Sequence, residues 1–347
     1  MTEATTKPRR FWLFLPFAIV VVLAVAWTGF WFFAGNKAEA IMTRWIEQEE
    51  GFGRIHRCAS RTVGGFPFRF EVRCSEPSTE LVALDPPRTV RAKSLVALAQ
   101  VYEPGLIVAE ITGPVSISVS GRPPSGQADW RLAQASLRAV GRRPERLSVA
   151  LDDIKLQLLE EGSAETVANA DHLELHLRRN PESGDDKADI DFALQAAGAV
   201  IQRGPLGARP IAFEANGIAR AVPDLRRKTT PQRLREWQAA GGRLELQKAR
   251  LQQGEAIALA SGDLRLSETG RPDGTLNVTM TGFDRLVREM VGGASGGGLQ
   301  LGLVAGLAFL GSPAQLEGRR AVTVPFRFKD GAMSLGPIPL GKVEPLY

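Results

Sequence analysis

The 347-residue chain has few of the residues that build metal centres, since it contains three histidines and two cysteines. Zinc fingers and iron–sulfur clusters need about four such ligands at each site, so arrays of these sites are excluded. Charged residues make up 23% of the chain and hydrophobic residues 44%, which also excludes a largely disordered or collagen-like chain. The composition therefore predicts a mainly folded protein, and we expect no metal ion or other cofactor.

The excess of positive charge is small. Lys and Arg number 43 against 38 Asp and Glu, a net charge of +5, and Lys7, Arg9 and Arg10 lie in the first ten residues. Nucleic-acid binding needs a concentrated basic surface, whereas the remaining basic residues are scattered along the chain. We therefore expect no nucleic-acid partner.

The segment from Phe11 to Phe33 contains no charged residue. As a helix it would span roughly 34 Å, enough to cross a bilayer core of about 30 Å. Tryptophans near both ends suit the two membrane interfaces, and the basic residues before the segment predict a cytoplasmic N-terminus. We predict a cytoplasmic tail at 1–10, a single transmembrane helix at 11–33 in the inner membrane, and a periplasmic location for the rest.

The next segment, 34–51, predicts a helical stalk. Ile41 and Trp45 form an apolar pair at i and i+4, and Gly51 is a plausible end of the helix. The alternative for the N-terminal region is a cleavable signal peptide, because Ala38–Ala40 (AEA) has the form of a cleavage site. The apolar segment is longer than the 7 to 15 residues that are usual before such a site, which favours the transmembrane helix.

Cys58 and Cys74 flank a predicted β-hairpin. Gly64-Gly65 provides a turn, and from Phe66 onward apolar and polar residues alternate as they do in a strand. A hairpin centred near Phe66 places the two cysteines about opposite each other, within reach of a disulfide. We predict this disulfide, since the periplasm is oxidising; two reduced, buried cysteines are the alternative.

Alternating apolar and polar residues dominate the chain after the cysteines, and the alternation predicts a series of strands. These are Val115–Val119, Arg146–Leu158, His172–Arg178, Ala188–Ala196, Arg243–Leu251, Ala256–Leu266 and Thr275–Thr281, with turns such as Arg271–Gly274 (RPDG) between them. We predict a mainly β fold, in which the transmembrane helix is followed by an elongated, curved antiparallel sheet with a few short helices. Residues 52–347 form one domain, and a division into two halves near 223–231 is the alternative.

Three segments predict helices. Pro231–Ala240 follows the capping residues Thr229-Thr230 and precedes two glycines, and Asp284–Met290 is a short second candidate. Leu299–Leu310 is apolar throughout but too short to span a membrane. We predict a buried helix there, and a segment that dips into the membrane is the alternative.

Three motifs have the residues of a functional site without the required context. Gly336–Val343 (GPIPLGKV) matches most of a phosphate loop, but two prolines remove amide donors and Val343 replaces the Ser or Thr. Gly293–Gly297 (GASGG) matches a nucleophile elbow without the strand and helix that should flank it. His172 and His176 alternate with leucines, which predicts a strand on which they lie about 13 Å apart, too far to share a zinc ion. We therefore expect no catalytic, nucleotide or metal site.

Three stretches of the chain are distinctive together. They are the apolar anchor followed by Gly64–Cys74 (GGFPFRFEVRC), Arg235–Leu286 and Val324–Gly341. These stretches resemble the bacterial family of domain of unknown function 2125. The resemblance implies a single-pass inner-membrane protein and supplies no active-site residues. More distantly, the meander of strands and the terminal strand ending at Asp330-Gly331 are similar to AsmA-like envelope proteins, which implies lipid handling by analogy of fold.

The sequence thus predicts a periplasmic, membrane-anchored protein without catalytic activity, serving envelope lipid handling or envelope assembly. The expected partners are the membrane and either phospholipid or another envelope protein. An envelope enzyme with a site that one sequence does not reveal, and a structural adaptor, are the alternatives.

Overall fold

The computed structural model describes residues 11–141, 143–160, 163–184, 188–202, 209–223, 228–282 and 311–347. Helix α1 spans Phe11–Glu50 without a break, so the apolar segment and the predicted stalk form one helix that ends directly before Gly51. Helix α2 spans Thr230–Ala239, one residue before the predicted bounds, and begins after Thr229, one of the two predicted capping residues. Thr229 and Gln232 form a capping box there. The predicted helices at 284–290 and 299–310 and the motif at 293–297 lie outside the described residues.

The other regular elements are strands, which pair antiparallel in one sheet that does not close. The first ten are β1 (Arg54–Arg57), β2 (Ser60–Gly64), β3 (Arg69–Ser75), β4 (Ser78–Leu81), β5 (Arg88–Arg91), β6 (Ser94–Gln100), β7 (Glu103–Thr112), β8 (Val115–Val119), β9 (Pro124–Asp129) and β10 (Leu132–Val140). The next seven are β11 (Arg143–Glu160), β12 (Ser163–Arg179), β13 (Ala188–Ile201), β14 (Ile211–Val222), β15 (Arg243–Gln253), β16 (Ala256–Leu266) and β17 (Pro272–Thr281). The last four are β18 (Ser312–Leu316), β19 (Arg319–Lys329), β20 (Ala332–Leu335) and β21 (Ile338–Lys342).

The first ten strands are the halves of longer strands, each interrupted by two residues. The interruptions lie side by side in the sheet, at 58–59, 76–77, 92–93, 113–114 and 130–131. On one side of them the neighbouring strands are, in order, β2, β3, β6, β7 and β10. On the other side they are β1, β4, β5, β8 and β9. We call this line the crease. Strand β11 is continuous and pairs with β10 before the crease and with β9 beyond it.

From β11 the sheet continues as a simple meander through β12, β13, β14, β15, β16 and β17 to β19. All of the strands predicted from alternation are present, and the bounds of β8 and β16 agree with the prediction. The predicted turn at 271–274 is wrong, since Pro272 and Gly274 already pair with Leu266 and Leu264. The chain turns just before these residues, at 267–271. Pro272 is tolerated in β17 because it is the first residue of the strand.

The predicted disulfide joins Cys58 and Cys74, whose Cα atoms are 5.5 Å apart. Cys74 lies on β3 and is buried, whereas Cys58 lies in the crease and not on the hairpin strand. The hairpin itself differs from the prediction, because β3 begins at Arg69. Phe66 and Phe68 therefore belong to the turn, and both are exposed.

Full burial is rare in this sheet. Among the described residues only Val324 and Leu335 form a cluster of fully buried apolar side chains, with Val278, Met280 and Phe326 packed around it. This small core lies at the β19 side of the sheet. Most other apolar side chains are half-buried, so the sheet has a large, partly exposed apolar surface.

Candidate functional site: the apolar face of the sheet

One face of the sheet is apolar on consecutive strands. The part of the sheet concerned lies between the crease and the end that carries the turns at 101–102 and 140–141. There the register brings Val149 opposite Leu175 and Leu175 opposite Leu194. The same row continues through Ala215, Ala249, Ala260, Val278 and Val324. We call the surface formed by this row and its parallel neighbours the apolar face.

The side chains in the middle of the row are small, because the residue on β14, β15 and β16 is alanine. Larger side chains flank these alanines, and Phe192 lies over Gly217. A Cβ atom at residue 217 would lie 2.9 Å from the Phe192 ring, so glycine is required for this close approach. The apolar face is therefore lined by leucine and phenylalanine on β11–β13 and by small residues further along.

The large apolar side chains of this face on β11–β14 are half-buried rather than buried. They are Leu147, Val149, Leu151, Leu173, Leu175, Leu177, Phe192, Leu194 and Phe213. Leucines on the central strands of a two-layered domain are usually fully buried, because a second layer covers them. Within the described ranges the apolar face has no such layer at these strands, and large exposed apolar surfaces commonly mark binding sites.

Helix α1 covers the face only at its first strands. Trp31 is 6% exposed and stacks on Phe70 of β3 with ring centroids 5.5 Å apart. Arg61 of β2 reaches Glu39 of the helix, with N and O atoms 3.4 Å apart. The helix thus closes the beginning of the face and leaves the central strands uncovered.

The opposite face carries a ladder of hydrogen-bonded polar side chains. His172 lies 2.6 Å from an oxygen of Asp152 on the neighbouring strand, and its other ring nitrogen lies 3.1 Å from Glu174. Glu174 also contacts His176 at 3.2 Å, and Asp152 accepts a hydrogen bond from Arg131. The predicted strand is confirmed, and the two histidines contact Glu174 from opposite sides.

The ladder changes the protonation of its members. The pKa of His172 is raised, first because Asp152 accepts its hydrogen bond and then because Glu174 does so. The pKa of Glu174 is lowered by its hydrogen bonds from His176 and His172. The arrangement is that of an ion-paired surface, and in the described part of the chain no group of three or more His, Cys, Asp or Glu side chains has the geometry of a metal site.

Of the two remaining sequence motifs, the described residues include one, and it is not a phosphate loop. Gly336–Val343 lies largely on β21, which pairs with β20 as a hairpin. A phosphate loop opens onto a helix N-terminus, and the strand at this position contradicts that geometry. The glycine-rich motif at 293–297 lies outside the described residues.

The crease forms a depression of about 720 Å³ next to the disulfide. Its basic residues are Arg57, Arg91 and Lys93, and Glu76 is its acidic residue. The sequence contains no single motif for this surface, because its residues come from consecutive interruptions of different composition. Only the alignment of the strands shows that they lie together.

The chain matches the model of a bacterial family described as "Uncharacterized protein conserved in bacteria (DUF2125)" over residues 31–344. The match covers most of the chain, so the protein belongs to this family. No curated protein and no solved structure was found to match it.

The N-terminal helix is long and apolar enough to cross a membrane. The stretch concerned is Phe14–Glu50, and its most apolar window is only 6% buried against the rest of the protein.

Proposed function

We propose that the protein is anchored in the inner membrane by α1, that its sheet lies in the periplasm, and that it handles envelope lipids without catalytic activity. The apolar face is the observation that carries the proposal. An acyl chain would cover leucine and phenylalanine side chains that the described residues leave half-buried, and each buried methylene would contribute about 0.8 kcal/mol. The distant resemblance of the sequence to AsmA-like envelope proteins implies the same class of function.

The periplasmic side is supported by three features of the chain. Basic residues precede the apolar segment, as they do on the cytoplasmic side of a span. The Cys58–Cys74 disulfide suits an oxidising compartment. The sheet also follows the span, so it would lie on the far side of the membrane from Lys7, Arg9 and Arg10.

The proposal is tested by native mass spectrometry of the full chain after gentle extraction. We expect phospholipid to remain bound to the wild type and to be lost in Leu194→Lys, which places a charge on the apolar face. Gln195→Lys is the matched control, because Gln195 is the next residue of β13 and points to the opposite face. Equal lipid occupancy in the two folded variants, or no bound lipid in the wild type, would contradict the proposal.

A structural adaptor is the second candidate, and the last strand favours it. Strand β21 pairs with β20 on one side, and its other edge has no strand partner among the described residues. Open edges can pair with a strand of another protein. In the same experiment, a stoichiometric protein companion in place of lipid would favour the adaptor.

A further inference from the structure

Helix α1 runs along the edge of the sheet in the direction opposite to β1 and β2. Near its C-terminus Glu49 contacts Arg54, where β1 begins. Closer to its N-terminus, the Trp27 Nε1 atom donates a hydrogen bond to the Pro67 carbonyl oxygen at 3.0 Å, in the turn after β2. The first part of the helix, about residues 11–26, therefore projects beyond the end of the sheet that carries this turn. We call this end of the sheet the near rim.

The contacts of Trp27 and Trp31 fix the depth of the near rim relative to the membrane. Both tryptophans belong to the apolar segment 11–33, and Trp31 donates a hydrogen bond to the Arg69 carbonyl oxygen at 3.1 Å. At 1.5 Å per residue, Trp27 lies about 9 Å inside the end of that segment. If 11–33 crosses a bilayer, the turn at 65–68 must lie at the level of its interface.

The near rim exposes large apolar side chains on successive turns. Exposure is 50% for Phe66, 65% for Phe68, 71% for Tyr102 and 67% for Val140. These turns are neighbours, because β3 pairs with β6 and β7 pairs with β10. Aromatic residues at such depth are typical of membrane interfaces, into which apolar groups enter by about 5 to 10 Å.

Arginines continue the near rim beyond the apolar turns. Arg138, Arg146 and Arg178 lie directly opposite one another on β10, β11 and β12. Like charges in this position destabilise a sheet unless an opposite charge compensates them. Glu103 compensates Arg138 at 2.5 Å and Asp191 compensates Arg178 at 2.6 Å.

The middle arginine of this row lacks such a partner. Arg146 is exposed, and among the described residues its side chain makes no hydrogen bond or ion pair. It lines a depression of about 410 Å³, together with Arg138, Arg143, Arg178, Arg179 and one acidic residue, Glu145. The excess of guanidinium groups at one place suits a phosphate or another anion.

We propose that the near rim docks onto the surface of the same bilayer that α1 enters, and that this surface contains anionic phospholipid. Phe66, Phe68 and Tyr102 enter the interface, and the arginine row binds lipid phosphate groups. The inference rests on the membrane anchoring in the proposed function but not on acyl-chain binding by the apolar face. Such docking brings lipid into contact with the near rim and not with the opposite end of the sheet.

The test uses the full chain reconstituted in vesicles. An environment-sensitive fluorophore is attached to Phe68→Cys and, as the control, to Leu84→Cys in the exposed turn at the opposite end of the sheet. With quenchers attached to lipids near the headgroup, we expect a blue shift and loss of fluorescence for the label at 68 but not for the label at 84. Equal fluorescence of the two labels would overturn the proposal.

Lipid composition tests the arginine row in the same labelled chain. Quenching at 68 should be stronger in vesicles with phosphatidylglycerol than in pure phosphatidylcholine, and Arg146→Gln should remove most of that difference. If Arg146→Gln leaves the lipid-dependent difference unchanged but abolishes the binding of inorganic phosphate to the chain, the row binds free phosphate and not the lipid surface, and the arginine part is refuted. A chain that does not float with vesicles refutes the anchoring itself, whereas a floating chain with label 68 in water refutes only the docking.

Discussion

Loss of the Cys58–Cys74 disulfide is expected to lower the free energy of unfolding by an amount that follows from the length of the loop it closes. The bridge closes a loop with a sequence separation of 16. In the chain-entropy model this loop restricts the unfolded chain by about 10 cal/mol/K, which corresponds to about 3 kcal/mol at 25 °C. The bridge also holds the crease against β3, the strand whose preceding turn contacts α1.

Urea unfolding of the full chain in detergent measures this effect. We expect the double variant Cys58→Ala/Cys74→Ala to lose about 3 kcal/mol of unfolding free energy relative to the oxidised wild type, and reduced wild type to lose a similar amount. Ser60→Ala, an exposed neighbour on β2, is the control and should change stability by less than about 0.5 kcal/mol. A double variant within about 1 kcal/mol of the oxidised wild type would refute the reasoning, because loop entropy would then not act on folding.

Two further predictions concern topology and pH. Alkaline phosphatase, which is active only outside the cytoplasm, should be active when it is fused after Tyr347, and a stable but inactive fusion would refute the periplasmic location. The raised pKa of His172 means that its protonated form stabilises the folded state. This contribution is complete below the unfolded pKa of about 6.5 and is lost as the pH rises through the higher folded value. The melting temperature of the wild type should therefore exceed that of His172→Gln at pH 5.5 by more than at pH 8.5, and a difference that does not change with pH would contradict the ion pair with Asp152.

The sequence predicted the seven strands named from alternation, because a half-buried strand has a side-chain period of two that is visible locally. The bounds of β8 and β16 follow from alternation alone. Helix α2 was equally accessible, since its capping threonines and the glycines after it are local signals. These elements depend on neighbours in the chain and not on distant contacts.

The crease could not be predicted, because no local signal is common to its parts. The interruptions consist of different residue pairs, such as Cys58-Ala59, Glu76-Pro77 and Trp130-Arg131. They form one feature only because the register aligns them. The arginine row has the same origin, since Arg138, Arg146 and Arg178 are far apart in sequence and become neighbours through strand pairing.

The pattern of apolar residues within β11 nevertheless changes where the crease meets this strand. Leu147, Val149 and Leu151 occupy odd positions, whereas Ile154, Leu156 and Leu158 occupy even positions, and Asp153 between them has a positive φ of 52°. Side chains alternate between the two faces of a regular strand, and this alternation is interrupted at a residue with positive φ. The change of phase therefore marks the crease in this strand.

In the proposed function, the dimensions of the apolar face favour one orientation of a bound acyl chain. Along the strand, the apolar positions from Leu147 to Leu151 cover only about 13 Å, at about 3.3 Å per residue. Across the strands, the part of the row before the buried core, from Val149 on β11 to Ala260 on β16, crosses five strand spacings, or about 24 Å at about 4.8 Å each. Val324, further along the row, is fully buried and closed to a ligand. An extended acyl chain would thus lie across the strands, with the leucines of β11 and β12 at one end and the small residues of β14, β15 and β16 at the other.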